Sequence, residues 1–250
     1  MLKQVFNGIK AYAGAFELIS KLKLWRYFVI PIAISVVTAV AIGISAYGLS
    51  DNIGQFISKI WVWEWGKETF ATISDIFGGL LVILIGFVLY KHIIMALSAP
   101  FMSPVSEKIE LHLLGDKHQH RDTSFQQQLW RGIRINVRNL FMELWLTIII
   151  LIISFIPIIG WITSLLLFVV QAYYAGFGNM DYTLERHFKY KDSLNFVRKY
   201  RGIAIGNGVV FMLFLLIPVI GIILVLPLSV TAASIKTVEL IESKKNISRV

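Results

Sequence analysis

Two ionisable residues interrupt an apolar stretch of the sequence. Lys91 and His92 stand within residues 76–99, which are otherwise uncharged. An ionisable group inside a membrane segment is costly and by default marks a functional site. A long side chain near the end of a span can instead extend its charged group to the membrane surface. Both interpretations stay open for this pair.

Three arginines follow one face of a predicted helix. Within residues 125–143, Arg131, Arg134 and Arg138 occur at positions i, i+3 and i+7, which share one helical face. A solvated cytoplasmic face has the same pattern, and even such a face can collect anions. Our candidates for an anion pathway are Lys91, His92, Glu107, Arg131, Arg134 and Arg138.

Motifs for catalysis or metal binding are weak or missing in the sequence. The chain has no cysteine, which excludes disulfides and thiol chemistry. His118 and His120 form an incomplete ligand set in a polar loop, so we expect no metal and no cofactor. Glu107 and Glu110 are better explained as capping or pairing groups, and Asn207 as the start of a helix or the lining of a pathway. We expect that the protein is not an enzyme.

The composition indicates an integral membrane protein. Of 250 residues, 56% are hydrophobic and only 16% are charged, and the mean hydropathy is +0.70. Soluble domains usually contain roughly 45–50% apolar residues. The net charge of +9 comes from basic residues between the apolar segments, which favours a membrane surface over nucleic acid as the partner.

The first half of the sequence predicts one surface helix and two spans. Residues 1–26 carry apolar side chains at helical spacing, with charged residues between them. This pattern indicates an amphipathic helix at the membrane interface or, alternatively, a packed helix of a bundle. Residues 27–49 are 23 uncharged residues, enough for a first transmembrane helix. Residues 76–99 form the second, which continues as an amphipathic helix to 115.

Two later apolar segments contain Pro-x-x-Gly at their centre, residues 144–170 and 209–235. Proline and glycine disfavour a helix interior, so we expect one turn at Pro157–Gly160 and another at Pro218–Gly221. Each arm has roughly a dozen residues, or ~18 Å of helix, which reaches only the middle of the bilayer. Each segment is thus a hairpin that enters and leaves on one side, or else a single kinked span.

The distribution of lysine and arginine favours the hairpins. These residues number five in 1–26, six in 108–138, six in 186–201 and four in 236–249, but only two in 50–75. Cytoplasmic loops collect Lys and Arg. Hairpins place all four basic stretches on the cytoplasmic side with both termini, whereas kinked spans would place 186–201 outside.

The sequence therefore predicts one all-α integral membrane domain over residues 1–250, with two full transmembrane helices, two half-crossing helical hairpins and amphipathic helices. Irregular backbone at membrane depth must be covered by protein or line a wet cavity, which implies a polar pathway or an oligomer. The basic and aromatic stretch 186–201 has a composition that also binds RNA. Beside a membrane it favours anionic lipid, so we expect no nucleic-acid partner.

The ordered set of these parts resembles the CysZ-type sulfate permease family. The matching stretches are KLKLWRYFVIP (21–31), ALSAPFMSPVSEKIELHLLG (96–115), both Pro-x-x-Gly segments and NMDYTLERHFKYKDS (179–193). The first is similar to the family's Gly-Leu-Arg turn, the second to its Ala-Pro-Phe pattern, and the last to its Asp-Tyr motif before a basic loop. The resemblance covers nearly the whole chain and rests on the ordered set of motifs.

The resemblance implies a homo-oligomer that takes up sulfate across the bacterial inner membrane for cysteine biosynthesis. The family's anion-binding turn maps onto Lys23, Leu24, Trp25 and Arg26, where lysine replaces the family's glycine and tryptophan the arginine after leucine. Arg26 still offers a bidentate fork and Lys23 a point charge. Two other functions stay open: a membrane-organising protein whose hairpins wedge one leaflet and, as the weakest, a lipid-modifying enzyme.

Overall fold

The computed structural model describes residues 1–60, 65–115, 122–154, 156, 160–217 and 219–247. Every regular element in these ranges is a helix, as the composition predicts. The α-helices are α1 (Leu2–Lys10), α2 (Ala15–Lys21), α3 (Trp25–Ser58), α4 (Lys67–Leu114), α5 (Phe125–Ser154), α6 (Gly160–His187), α7 (Tyr190–Lys199), α8 (Arg201–Leu215) and α9 (Ile220–Ile247). A 3₁₀ segment, Ala11–Gly14, joins α1 to α2.

Five helices are long and apolar enough to cross a bilayer, namely α3, α4, α5, α6 and α9. The chain is therefore a multi-pass membrane protein. The first two of these helices extend beyond the predicted spans, because α3 runs to Ser58 and α4 begins at Lys67. Most of the expected polar interlude at 50–75 is thus helical. α4 also continues through Pro100 and Pro104 to Leu114 as one helix of 48 residues.

Glycines bring α3 and α4 together as an antiparallel pair. Gly54 of α3 lies against Asp75 of α4, and Gly86 of α4 lies against Ile42 of α3. In each case an added Cβ atom would overlap the neighbouring residue. Close backbone approach of this kind is typical of helices that pack within lipid.

The later apolar segments also form antiparallel pairs. In the α5–α6 pair, Arg131 near the start of α5 contacts Asp181 near the end of α6. In the α8–α9 pair, the amide of Asn207 donates to the carbonyl of Ser229, while Gly221 abuts Phe214 close to the turn. Arms that return alongside each other form hairpins, whereas a kinked span would place them end to end. The predicted turn residues Pro157 and Pro218 lie outside the described residues, and Gly160 is the first residue of α6.

The turn of the α8–α9 pair lies beside the middle of the α3–α4 pair. Leu215 at the end of α8 and Ile222 near the start of α9 line a cavity of about 160 Å³ with Ile42 of α3 and Phe87 of α4. From Ile42, α3 continues for a further 16 residues to Ser58, about 24 Å. The α8–α9 pair therefore ends well short of the far end of the α3–α4 pair.

Residues 1–26 form three short segments and the start of α3 rather than one helix. Gly8 of α1 packs on the Ile203 carbonyl of α8, and the Tyr12 hydroxyl donates to the Asn207 carbonyl at 2.8 Å. Burial raises the pKa of that hydroxyl. Apolar side chains exposed on the outer surface of α1 and α2 include Leu2, Phe6, Ile9 and Phe16. One face thus packs as in a bundle, and the other stays apolar and exposed, as an interfacial helix requires.

Candidate functional site

The turn between α2 and α3 has the geometry of a helix C-cap with one left-handed residue. Lys23 has a φ of 53°. Its N–H donates to the Ser20 carbonyl at 3.1 Å, and the Leu24 N–H donates to the Ile19 carbonyl at 2.8 Å. These two bonds define a Schellman motif, in which glycine usually occupies the left-handed position. Lysine therefore holds the backbone conformation that glycine favours, at a cost of about 1–2 kcal/mol.

The same turn exposes two cations at the start of a long helix. Leu24 is fully buried and packs in the core with Ile19, whereas Lys23 and Arg26 are exposed. α3 begins at Trp25, so the first N–H groups of a 34-residue helix point into the turn. The Arg26 guanidinium donates to the Tyr27 hydroxyl at 3.2 Å, which leaves further donors at the surface. Two cations and the positive end of a helix dipole can hold an oxyanion.

Lys91 and His92 form a buried ionic cluster with Glu143 of α5. The Lys91 Nζ donates to Glu143 Oε1 at 2.7 Å, and His92 Nε2 lies 3.1 Å from Glu143 Oε2. The side chain of Lys91 is 0% exposed. This burial contradicts the alternative in which Lys91 extends its charged group to the membrane surface. The two residues instead join α4 to the first hairpin.

A second buried cluster joins α4 to the end of α6. Arg186 donates to Glu110 Oε2 at 2.9 Å and to the Ser103 carbonyl at 3.0 Å. His187 Nε2 lies 2.9 Å from Glu110 Oε1. Glu110 is thus the pairing group that its type and position indicated. Glu107, the pathway candidate, is half-buried three residues earlier on α4.

The three arginines of α5 have different surroundings. Arg131 is only 13% exposed; it forms a bidentate pair with Asp181 and also donates to the Phe188 carbonyl. The prediction of a solvated face is therefore wrong for Arg131. Arg134 is exposed and stacks over Tyr190 with 4.0 Å between guanidinium carbon and ring centroid. Arg138 is half-buried over the ring of Phe177, at 5.6 Å. The structure therefore gives the three arginines three different environments.

Asn207 is a hydrogen-bonding centre that was not predicted from the sequence. It lies in the middle of α8, so the expected helix start is wrong. Its amide oxygen accepts from Asn179 of α6 at 2.9 Å, and its amide nitrogen donates to the Ser229 carbonyl of α9 at 3.0 Å. The flanking Gly206 and Gly208 allow the backbones of α1 and α6 to approach. The Gly-Asn-Gly pattern is the signal that could have indicated this crossing point.

The described residues contain no group of three His, Asp or Glu side chains that could hold a metal ion. His118 and His120, the weak metal-ligand pair of the sequence, lie outside the described residues. The functional groups of the described residues are therefore cations at a turn and ion pairs between buried helices.

Comparison with known families gives a match for the chain. The model of the family described as sulfate transporter CysZ and etoposide-induced protein 2.4 matches residues 11–226. The chain belongs to this family. The match contains the Lys23–Arg26 turn, both buried ionic clusters, the first hairpin and the second hairpin as far as residue 226. It identifies a membrane protein of a transporter-type family. No curated protein matches the sequence closely enough to add a relative.

Proposed function

We propose that this member of the CysZ family is a channel or permease that carries sulfate across the bacterial inner membrane into the cytoplasm, where it serves cysteine biosynthesis. The observation that carries the proposal is the exposed turn at Lys23 and Arg26. Its left-handed backbone is retained although glycine is absent, and it presents two cations beside a helix N-terminus. A sulfate dianion suits such a site, because guanidinium and backbone N–H groups both bind oxyanions.

We propose that the two hairpins cross only half of the bilayer. Two observations support this depth. The α8–α9 turn lies beside Ile42, about 10 Å short of residue 49, where the predicted first span ends. On α5, only 11 residues separate the buried Glu143 from the end of the helix at Ser154, about 17 Å. Lys91 pairs with Glu143, so α4 and α5 share this level, and the α5 arm beyond it covers about half of the ~30 Å hydrocarbon layer.

The proposed route passes between the hairpins and α4. It begins at the Lys23–Arg26 turn and continues past Lys91, His92 and Glu107. Asn136 and Asn139, which are buried on α5, add polar groups near the Lys91–Glu143 pair. A sequence without a nucleotide-binding loop or metal centre favours passive or ion-coupled flow. Irregular backbone at membrane depth needs cover from protein or water, which supports assembly as a homo-oligomer.

A flux assay tests this function. The purified chain is reconstituted into liposomes, and uptake of radiolabelled sulfate is compared between the parent, Arg26→Ala and the control Arg198→Ala. Arg198 is an exposed arginine of α7, away from the turn. Loss of a charged hydrogen bond costs about 1.5–3 kcal/mol, so we expect uptake at low sulfate to fall about tenfold or more for Arg26→Ala alone. No uptake by the parent above empty liposomes would refute the transport proposal.

One observation favours a second function, that of a membrane-organising protein without transport. Leu2, Phe6 and Phe16 give the α1–α2 surface an apolar face that a membrane leaflet can cover. Together with half-crossing hairpins, this face would add area to one leaflet only. Deformation of vesicles by the protein in the absence of sulfate flux would favour this function over a permease.

A further inference from the structure

A cavity of about 470 Å³ lined by charged, polar and aromatic side chains lies at the start of α5. Residues from three helices and the segment before α5 line it, and neither the Lys23–Arg26 turn nor Lys91 is among them. Pockets of 300–1,000 Å³ are typical of small-molecule sites. The lining residues on which the argument rests are Asp122, Gln127, Trp130, Arg134, Glu185 and Tyr190.

Hydrogen bonds hold the walls of this cavity in place. Ser124 and Gln127 form a reciprocal capping box, in which each side chain accepts from the other's backbone N–H at 3.2–3.3 Å. The Gln128 amide donates to the Thr123 carbonyl at 3.1 Å. Arg131 joins α5 to Asp181 of α6 and, through Ser193, to α7. The cavity is therefore formed before any ligand enters, which lowers the entropic cost of binding.

Charges of both signs face this cavity. Arg131 is neutralised by Asp181. Arg134 has no ion-pair partner among the residues that the structure describes, and its stack on Tyr190 leaves the N–H edges of the guanidinium available. Glu185, whose side chain is only 2% exposed, and the exposed Asp122 supply carboxylates. A cavity lined by both cationic and carboxylate side chains is complementary to a molecule that carries both charges.

We infer that this cavity binds a compact zwitterion, whose oxyanion group pairs with Arg134 and whose primary ammonium group faces Glu185 and Asp122. Two sources offer this chemistry: a free amino acid, with its carboxylate, and the headgroup of phosphatidylethanolamine, with its phosphate. Trp130 is 69% exposed at the cavity, and an exposed tryptophan suits the headgroup level of a membrane. The inference does not depend on sulfate transport.

Calorimetric titration of the full chain in detergent tests the inference. The zwitterionic probes are glycerophosphoethanolamine and a panel of L-amino acids. Glycerol phosphate and ethanolamine serve as matched probes that carry only the negative or only the positive charge. We expect at least one zwitterion to bind at least tenfold more tightly than either glycerol phosphate or ethanolamine. We also expect Arg134→Gln and the isosteric Glu185→Gln to weaken it at least tenfold, with the control Arg198→Gln unchanged.

The probe that binds identifies whether the natural ligand is a free amino acid or a lipid headgroup. Binding of an amino acid but not of glycerophosphoethanolamine identifies a free metabolite. The converse, with competition by nanodiscs of phosphatidylethanolamine but not of phosphatidylglycerol, identifies the lipid. The inference is overturned if no zwitterion binds at millimolar concentrations, if glycerol phosphate or sulfate binds as tightly as the best zwitterion, or if Arg134→Gln binds like the parent. Arg134 is exposed, so the last comparison does not depend on a variant with a damaged core.

Discussion

The α3–α4 and α8–α9 pairs are both antiparallel helix pairs, but they meet different surroundings. In the most apolar window of α3, 22% of residues are buried within the chain, whereas in that of α9 the share is 67%. Gly43 and Gly48 of α3 have open space where a Cβ would stand. Gly206 and Gly208 of α8 lie directly against the backbones of α1 and α6.

The difference shows which pair can face lipid along its length. A helix that crosses the bilayer satisfies its own backbone and tolerates lipid on most sides. A pair that turns within the bilayer exposes irregular backbone at its tip. Protein packed on its other sides stabilises such a pair. The burial of α8 among α1, α6 and α9 therefore supports the proposed half-crossing depth for the α8–α9 pair alone, because the corresponding buried shares in the first hairpin are only 17% for α5 and 33% for α6.

The largest effect is expected from side chains added to these glycines. At Gly208 even a Cβ atom would overlap the Ala172 carbonyl oxygen of α6, so the clash in Gly208→Leu costs far more than the roughly 1–3 kcal/mol of ordinary overpacking. We expect little folded protein. The matched change Gly48→Leu projects into open space and should fold like the parent. Thermal unfolding in detergent and size-exclusion profiles measure the stability of both variants. Equal stability of the two variants would contradict the difference in packing between α3 and α8.

The next effect concerns the buried ion pair at which the α3–α4 pair meets the first hairpin. Lys91→Met leaves the buried Glu143 with His92 as its remaining partner, so we expect a loss of up to about 3–5 kcal/mol. The double variant Lys91→Met with Glu143→Leu removes the stranded charge, so we expect it to recover most of the loss. Lys59→Met, at the exposed end of α3, is the control and should change little. A double variant no more stable than Lys91→Met would show that the pair is not coupled.

The smallest effect is expected at the turn before α3. Lys23→Gly relieves the strain of a left-handed lysine but makes the unfolded chain more flexible, so we expect a net stabilisation of at most about 1 kcal/mol. The same variant keeps Arg26 and should retain sulfate flux. Clear destabilisation by glycine would contradict the left-handed backbone. Unfolding midpoints in detergent provide the measurement.

The sequence predicted the parts of the fold that depend on local chemistry. Pro-x-x-Gly in two apolar segments indicated turns, and the arms do return antiparallel. Composition alone identified the all-helical membrane protein. The partners of Lys91 and Arg186 could not be predicted from the sequence. Glu143 lies 52 residues from Lys91 and Glu110 lies 76 residues from Arg186, and only tertiary packing brings each pair together.

The turn before α3 and the packing around Asn207 of α8 also could not be predicted from local sequence. Nothing in the type of residue 23 indicates a positive φ, because lysine rarely adopts one. Asn207 looked like a helix start because asparagine and glycine are common there, yet it lies within α8. At Asn207, contacts with α6 and α9 override the local preference, whereas at Lys23 the hydrogen bonds of the helix end do so.

The most direct test of the half-crossing hairpins is single-cysteine labelling in intact cells with a membrane-impermeant maleimide. The native chain has no cysteine, so each variant carries one thiol. We expect Asp51→Cys, in the exposed part of α3, to be labelled from outside, and Gln126→Cys and Lys191→Cys to be protected until the cells are opened. Trp161→Cys, next to the first hairpin turn, should also escape labelling from outside. Labelling of Trp161→Cys from outside would mean a fully crossing pair, and labelling of Lys191→Cys but not Gln126→Cys would mean a kinked span; either result contradicts the account.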